Sequence, residues 1–131
     1  MIAIDTNVLV RLVVDDDPDQ TRRARKLFRG GDVLVTATVL LESAWVLSGA
    51  YGRSRQQVSA SLRGVLGLDG VATDSPAAVA QALDWFDAGL DFADALHLAG
   101  AWAAGAFATF DERLIRKAGS LRTPPVVSVP R

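Results

Sequence analysis

Five acidic residues stand where an α/β chain places its chemistry. Asp5 closes the apolar run Ile2-Ala3-Ile4, and Asp111 closes the run Ala106 to Phe110. Glu42 lies inside the otherwise apolar stretch Val39 to Leu47. Asp91 and Asp94 share one helix face at i, i+3. The chain has no cysteine and a single histidine, His97. Disulfides, zinc–thiolate sites and thiol nucleophiles are therefore excluded. Clustered carboxylates repel, and some stay protonated at neutral pH unless a cation joins them. Oxygen-only ligand sets suit Mg²⁺ or Mn²⁺. Such ions activate water and neutralise charge on a phosphodiester, so the pattern suggests metal-dependent phosphate-ester hydrolysis. A Ser–His–Asp hydrolase would need His97 as base, but no Gly-x-Ser-x-Gly elbow occurs. The phosphate-cradling and dinucleotide-binding glycine fingerprints are absent too.

Each acid also has a local explanation. Asp5 can be a turn residue at a strand end. Asp91 is most simply an N-cap, Asp94 suits a first helical turn, and Asp111 can cap the helix that follows it. Glu42, if buried in its apolar helix, needs a partner, a proton or a metal, and a salt bridge is its simplest structural role.

The elements that must position these residues alternate between strand and helix. Ile2 to Ile4 reads as a buried strand, and its early place suggests a central position in the sheet. Val8 to Val14 reads as a short helix ended by Asp15-Asp16-Asp17-Pro18. Asp17 caps and Pro18 opens a helix to about Phe28, stopped by Gly30-Gly31. Val33 to Thr36 is a second strand. Thr38 is expected to cap a helix over Val39–Ala50 that is apolar nearly all round, as in a core or an oligomer interface. Ser54 caps a helix over Arg55–Leu68, and Gly70 to Thr73 is a weak third strand. Helices follow from Pro76 to Ala88 and from Asp91 through Trp102, closed by Gly105. Ala106 to Phe110 is a strand, Glu112 to Gly119 a short helix, and Val126 to Val129 a last strand after Pro124-Pro125. The alternation argues for one α/β domain over residues 1–131 with a largely parallel sheet.

Composition agrees with a globular chain: 131 residues, 50% hydrophobic and 22% charged, with a formal net charge of −1. No global basic excess advertises nucleic acid, so such a partner needs a local basic patch. Arg22, Arg25, Lys26 and Arg29 form one helix face that can track RNA phosphates, although a solvated face is the simpler reading. Trp45, Trp85 and Trp102 can stack bases, but their apolar helices favour core or interface. His97, one turn past Asp94, is expected to be packed or partly exposed. Asp5 interrupts the first apolar run, and the longest uncharged stretch, Ala95 to Phe110, is too short for the ~20 residues of a membrane span. A soluble cytoplasmic protein with no membrane association is the expectation.

Four segments in order resemble the PIN-domain family, most closely the VapC-type toxins of bacterial toxin–antitoxin pairs. They are Asp5-Thr6-Asn7-Val8-Leu9-Val10-Arg11, Leu41-Glu42, Asp91-Phe92-Ala93-Asp94-Ala95-Leu96-His97-Leu98-Ala99 and Thr109-Phe110-Asp111. The resemblance implies a three-layer α/β/α domain with a central, mainly parallel sheet of four to five strands. It implies a Mg²⁺- or Mn²⁺-dependent endoribonuclease in which Asp5, Glu42, Asp94 and Asp111 form the acidic quartet. Asp5 and Asp94 would ligate the ion directly, and Glu42 and Asp111 partly through water. Asp91 matches a common additional acid. Thr6, Asn7 and Thr109 look like groups that orient the carboxylates. Homodimerisation and inhibition by a cognate antitoxin are further implications. Two other readings are a catalytically inert PIN-like binding module and a receiver-like phosphoryl-accepting domain. The receiver fold needs an acidic pair after its first strand, and here Asp5 is followed by Thr6-Asn7.

Overall fold

A computed structural model describes residues 1–121 and 125–130. The chain falls into two compact units, Met1–Pro76 and Ala77–Arg131.

In the first unit three short strands lie side by side in the order β1-β2-β3: β1 Ile2–Ala3, β2 Val33–Leu34 and β3 Val71–Ala72. All pairings are parallel, with Ile2 opposite Val33 and Val33 opposite Val71. Parallel neighbours need crossovers, and helices supply them. Helices α1 (Thr6–Val13) and α2 (Pro18–Arg29) join β1 to β2, while α3 (Ala37–Gly49) and α4 (Arg55–Leu66) join β2 to β3. The core of this unit gathers Leu9, Val33, Val35, Leu40, Leu47 and Leu62, each fully buried.

Local chemistry fixes the helix starts. The Asp17 carboxylate accepts from the Gln20 amide at 3.1 Å, and Pro18 occupies the first turn, where its missing N–H costs nothing. Ser54 and Gln57 form a reciprocal capping box, with the Gln57 amide donating to Ser54 Oγ at 3.2 Å and the Ser54 amide to Gln57 Oε1 at 2.9 Å.

In the second unit β4 (Ala106–Ala108) pairs in parallel with β5 (Val126–Ser128) across α7 (Glu112–Ala118). Helices α5 (Pro76–Asp87) and α6 (Phe92–Gly100) precede them, followed by a single 3₁₀ turn over Trp102–Ala104. Gly105, at φ +73°, ends that turn in the left-handed region. Val79, Leu83, Trp85, Leu90, Phe92 and Leu98 are buried, and the rings of Phe86 and Phe92 meet edge to face at 5.4 Å.

The α/β class and its parallel pairing are as the sequence implies. Among the described residues the five strands hydrogen-bond in two sets, three and two, rather than as one ladder. Pro124, expected to lead into the last strand, lies outside the described residues. No helix among those residues is long and apolar enough to cross a membrane.

Four local expectations are corrected. Strand β1 is an edge of its sheet rather than the centre, with Ile2 53% exposed; β2, flanked on both sides, takes the central place. Thr36 rather than Thr38 is the N-cap residue of α3, with no side-chain cap bond; its hydroxyl lies 3.1 Å from that of Thr38. Helix α3, apolar nearly all round in sequence, is not buried all round in this chain: Trp45 is 76% exposed, and Leu40, Ser43, Ala44 and Leu47 are buried. Trp102 is also exposed, so Trp85 alone of the three tryptophans is a core residue.

Side-chain hydrogen bonds centred on Arg11 tie the first unit together. Arg11 Nε donates to Gln20 Oε1 at 2.7 Å, and its Nη1 donates to Asp16 at 2.9 Å and to the Tyr51 hydroxyl at 3.0 Å. Tyr51 in turn donates to Asp16 at 2.8 Å, and Thr21 donates to the Arg11 carbonyl at 2.9 Å.

The entry to β3 depends on a missing side chain. Gly70 sits at φ +78°, and a Cβ there would lie 2.8 Å from the Gly31 Cα and 2.9 Å from the Asp32 nitrogen. Neither backbone atom can rotate away. Gly70→Ala should therefore destabilise the protein by at least about 1–3 kcal/mol, the usual cost of a non-glycine residue held in a strained backbone region. Urea denaturation checks this, and an unchanged midpoint would contradict the close approach.

Candidate functional site

Three of the five candidate acids begin helices. Asp5 is the N-cap of α1, where its Oδ1 accepts from the Thr6 amide at 2.8 Å. Asp91 caps α6, with Oδ2 facing the Asp94 amide at 3.4 Å. Asp111 caps α7 most completely, its Oδ1 accepting from the amides of Arg113 at 2.9 Å and Leu114 at 3.2 Å. In each case one carboxylate oxygen serves the helix. The other has no hydrogen-bond partner among the described residues and remains available to a ligand.

Glu42 is corrected in its setting. It is exposed on α3 rather than buried in an apolar helix, so the desolvation argument for a compensating partner does not apply. Nor does it join an ion pair among the described residues, which removes the salt-bridge explanation. Its helix packs against α1, the helix that Asp5 caps.

Asp94 occupies the first turn of α6 and is only partly exposed. Burial pushes its carboxyl above the ordinary carboxylate range, and repulsion from Asp91 and Asp111 adds to the rise. His97 and Lys117 oppose it. Lys117 is anchored by donating to the Gly89 carbonyl at 3.1 Å. The second unit thus brings Asp91, Asp94 and Asp111 into one another's fields, while Asp5 and Glu42 belong to the first unit.

The three groups expected to orient carboxylates differ in what they do. The Thr6 backbone amide holds Asp5, and Thr6 itself is buried. The Thr109 hydroxyl accepts from the Asp111 amide at 3.0 Å, so it fixes the backbone of that residue rather than its carboxylate. Asn7 lines a pocket between α1 and α2. Lys117 comes to Asp94 only through folding, and no motif in the sequence marks it for the acidic cluster.

The donor set is chemically suited to a hard divalent cation: every candidate offers carboxylate oxygen, and the acids of the second unit repel one another until positive charge arrives. Among the described residues no three Asp, Glu or His groups form a ready-made cage.

The PIN domain model matches residues 2–120, a span that contains all five acids. A comparison with curated sequences found no match. Among solved structures the chain is similar to VapC20 of Mycobacterium tuberculosis, described as a Sarcin-Ricin loop cleaving toxin. The identity is 21%, with 95% of this chain and 100% of that chain covered and a TM-score of 0.44.

The raised Asp94 carboxyl has a consequence for stability. The folded protein favours the protonated form, so ionisation costs stability as pH rises through the folded-state pKa. Asp94→Asn cannot ionise. Without divalent cations it should melt above the wild type at neutral pH, and the gap should close as pH falls below about 4, where the free carboxyl is also protonated. Thermal melts across that range test the sign. A wild type more stable than the variant at neutral pH would show that Asp94 gains rather than loses on folding.

Proposed function

The chain belongs to the PIN-domain family, and we propose that it is a Mg²⁺- or Mn²⁺-dependent endoribonuclease, the toxin of a toxin–antitoxin pair acting in the cytoplasm. The observation that carries this reading is the family match over residues 2–120, which takes in every acid of the quartet. The toxin assignment is supported by the resemblance of the four motifs to VapC-type toxins. RNA is the substrate, a cognate antitoxin the inhibitor, and a homodimer the working form.

Asp5 and Asp94 would hold the cation directly, with Glu42 and Asp111 acting partly through water and Asp91 as an accessory acid. When bound, the ion supplies positive charge against the phosphodiester and lowers the pKa of water. The protein's own residues supply the rest. Asp5 and Asp111 are held by the helix amides they cap, so their rotamers are set before substrate arrives. Asp94 must ionise to serve, and its raised carboxyl makes cation binding weaken as pH falls. The positive ends of α1 and α7 favour negative charge on their capping acids.

The reading is tested by RNA cleavage with Mg²⁺ and with excess chelator. Asn caps a helix as well as Asp does, so Asp5→Asn removes charge while leaving the start of α1 intact. Asp5→Asn and Asp94→Asn should each cost more than the roughly 10–100-fold that loss of an outer-shell partner costs a metal site. Cleavage that survives chelator would end the metal mechanism. RNA binding with no cleavage under any divalent ion would favour an inert module instead.

A further inference from the structure

Helices α1 and α2 of the first unit enclose a pocket of about 400 Å³. Asn7, Val8 and Arg11 line it from α1, and Gln20, Arg23, Ala24 and Leu27 from α2. Val8, Ala24 and Leu27 give apolar walls. The polar groups are biased towards donors, and the Arg11 hydrogen bonds explain why. Arg11 Nε donates to Gln20 Oε1. That bond fixes the orientation of the amide and leaves the Gln20 NH₂ as its unengaged end. Arg11 Nη1 spends its two hydrogens on Asp16 and Tyr51. Its Nη2 keeps two donors that have no partner among the described residues.

A phosphate is a poor match for this pocket, because Arg11 is already paired with Asp16 and Arg23 with Asp19, and most of the lining surface is apolar. A flat ring with apolar faces and an edge of acceptors is a better one. Among nucleobases, the major-groove edge of guanine offers N7 and O6 as adjacent acceptors, whereas adenine places a donor beside N7. We propose that this pocket binds an unpaired guanine base of an RNA strand, with Arg11 Nη2 and the Gln20 amide reading its N7 and O6 edge between Val8 and Leu27. The proposal rests on the ribonuclease reading, because it makes the pocket a specificity site of that substrate. Asn7 and Val8 lie two and three residues beyond Asp5 on the helix it caps, so the pocket shares a helix with that carboxylate.

The test is binding of single-stranded RNA by fluorescence anisotropy in chelator, where cleavage does not intrude. The probes are a uridine oligonucleotide with one central guanosine and the same oligonucleotide with 7-deazaguanosine, which lacks the N7 acceptor. The wild type should bind the guanosine probe about five- to tenfold more tightly, the scale expected of one good base contact. Leu27→Trp, which fills the pocket, should abolish that preference. Gln20→Leu, at an exposed position, should reduce it and serves as the deciding variant if Leu27→Trp fails to fold by circular dichroism. Equal binding of the two probes by the wild type would overturn the proposal. So would a preference that persists in a folded Leu27→Trp, including the case where that variant loses a protein partner instead. The nuclease reading fails separately: cleavage absent while the guanosine preference stands refutes catalysis and leaves the pocket intact.

Discussion

The hydrogen bond between a carboxylate and the first amides of a helix is the constraint on which the acidic constellation depends. Asp5, Asp91 and Asp111 each use one oxygen in this way. The bond satisfies amides that would otherwise have no intrahelical partner. It also places a negative charge at the positive end of a helix, where that charge is favoured. The acids are thereby held by secondary structure, and no basic side chain forms an ion pair with them among the described residues. Ion pairs form instead at other acids: Asp16 with Arg11, Asp19 with Arg22 and Arg23, and Asp32 with the N-terminus.

Capping and ligation are often treated as rival explanations of an aspartate, but a carboxylate has two oxygens. One caps while the other faces outward, so a capping acid is a better-ordered ligand than a free one. Asp94 is the contrast. Its side chain caps nothing, it is partly buried, and two neighbouring acids repel it. His97 and Lys117 offset only part of that cost. A cation would stabilise Asp94 more than it would stabilise Asp5, whose helix already favours its charge.

Features set by neighbouring residues were legible in the sequence, and those set by distant packing were not. Asp17-Pro18, the Ser54 cap and the capping roles of Asp91 and Asp111 rest on backbone chemistry within a few residues, and each appears in the structure. The burial of Glu42 was inferred from the apolar residues around it. Burial is set by what packs against a face, and α3 turns Glu42 and Trp45 outward. The central place expected of β1 failed for the same reason, because strand order is decided by pairing partners rather than by the strand's own residues. The hydrogen bonds of Arg11 were beyond reach: its partners lie five, nine and forty positions away, with no local pattern to join them.

Those bonds tie the acidic end of α1 to the rest of its unit. The helix has eight residues, with Asp5 capping its start and Arg11 in its last turn. Six residues of helix span about 9 Å, a distance the backbone hydrogen bonds hold rigid. Arg11 is itself fixed to α2 through Gln20 and Thr21, and to the segment after α3 through Tyr51. Displacing Asp5 therefore means displacing a helix whose far end is anchored at several points. A carboxylate on an unanchored loop would relax away from approaching negative charge, whereas one built into this helix must meet it in place. That rigidity is what an acid needs if its role is to hold a cation against a phosphodiester.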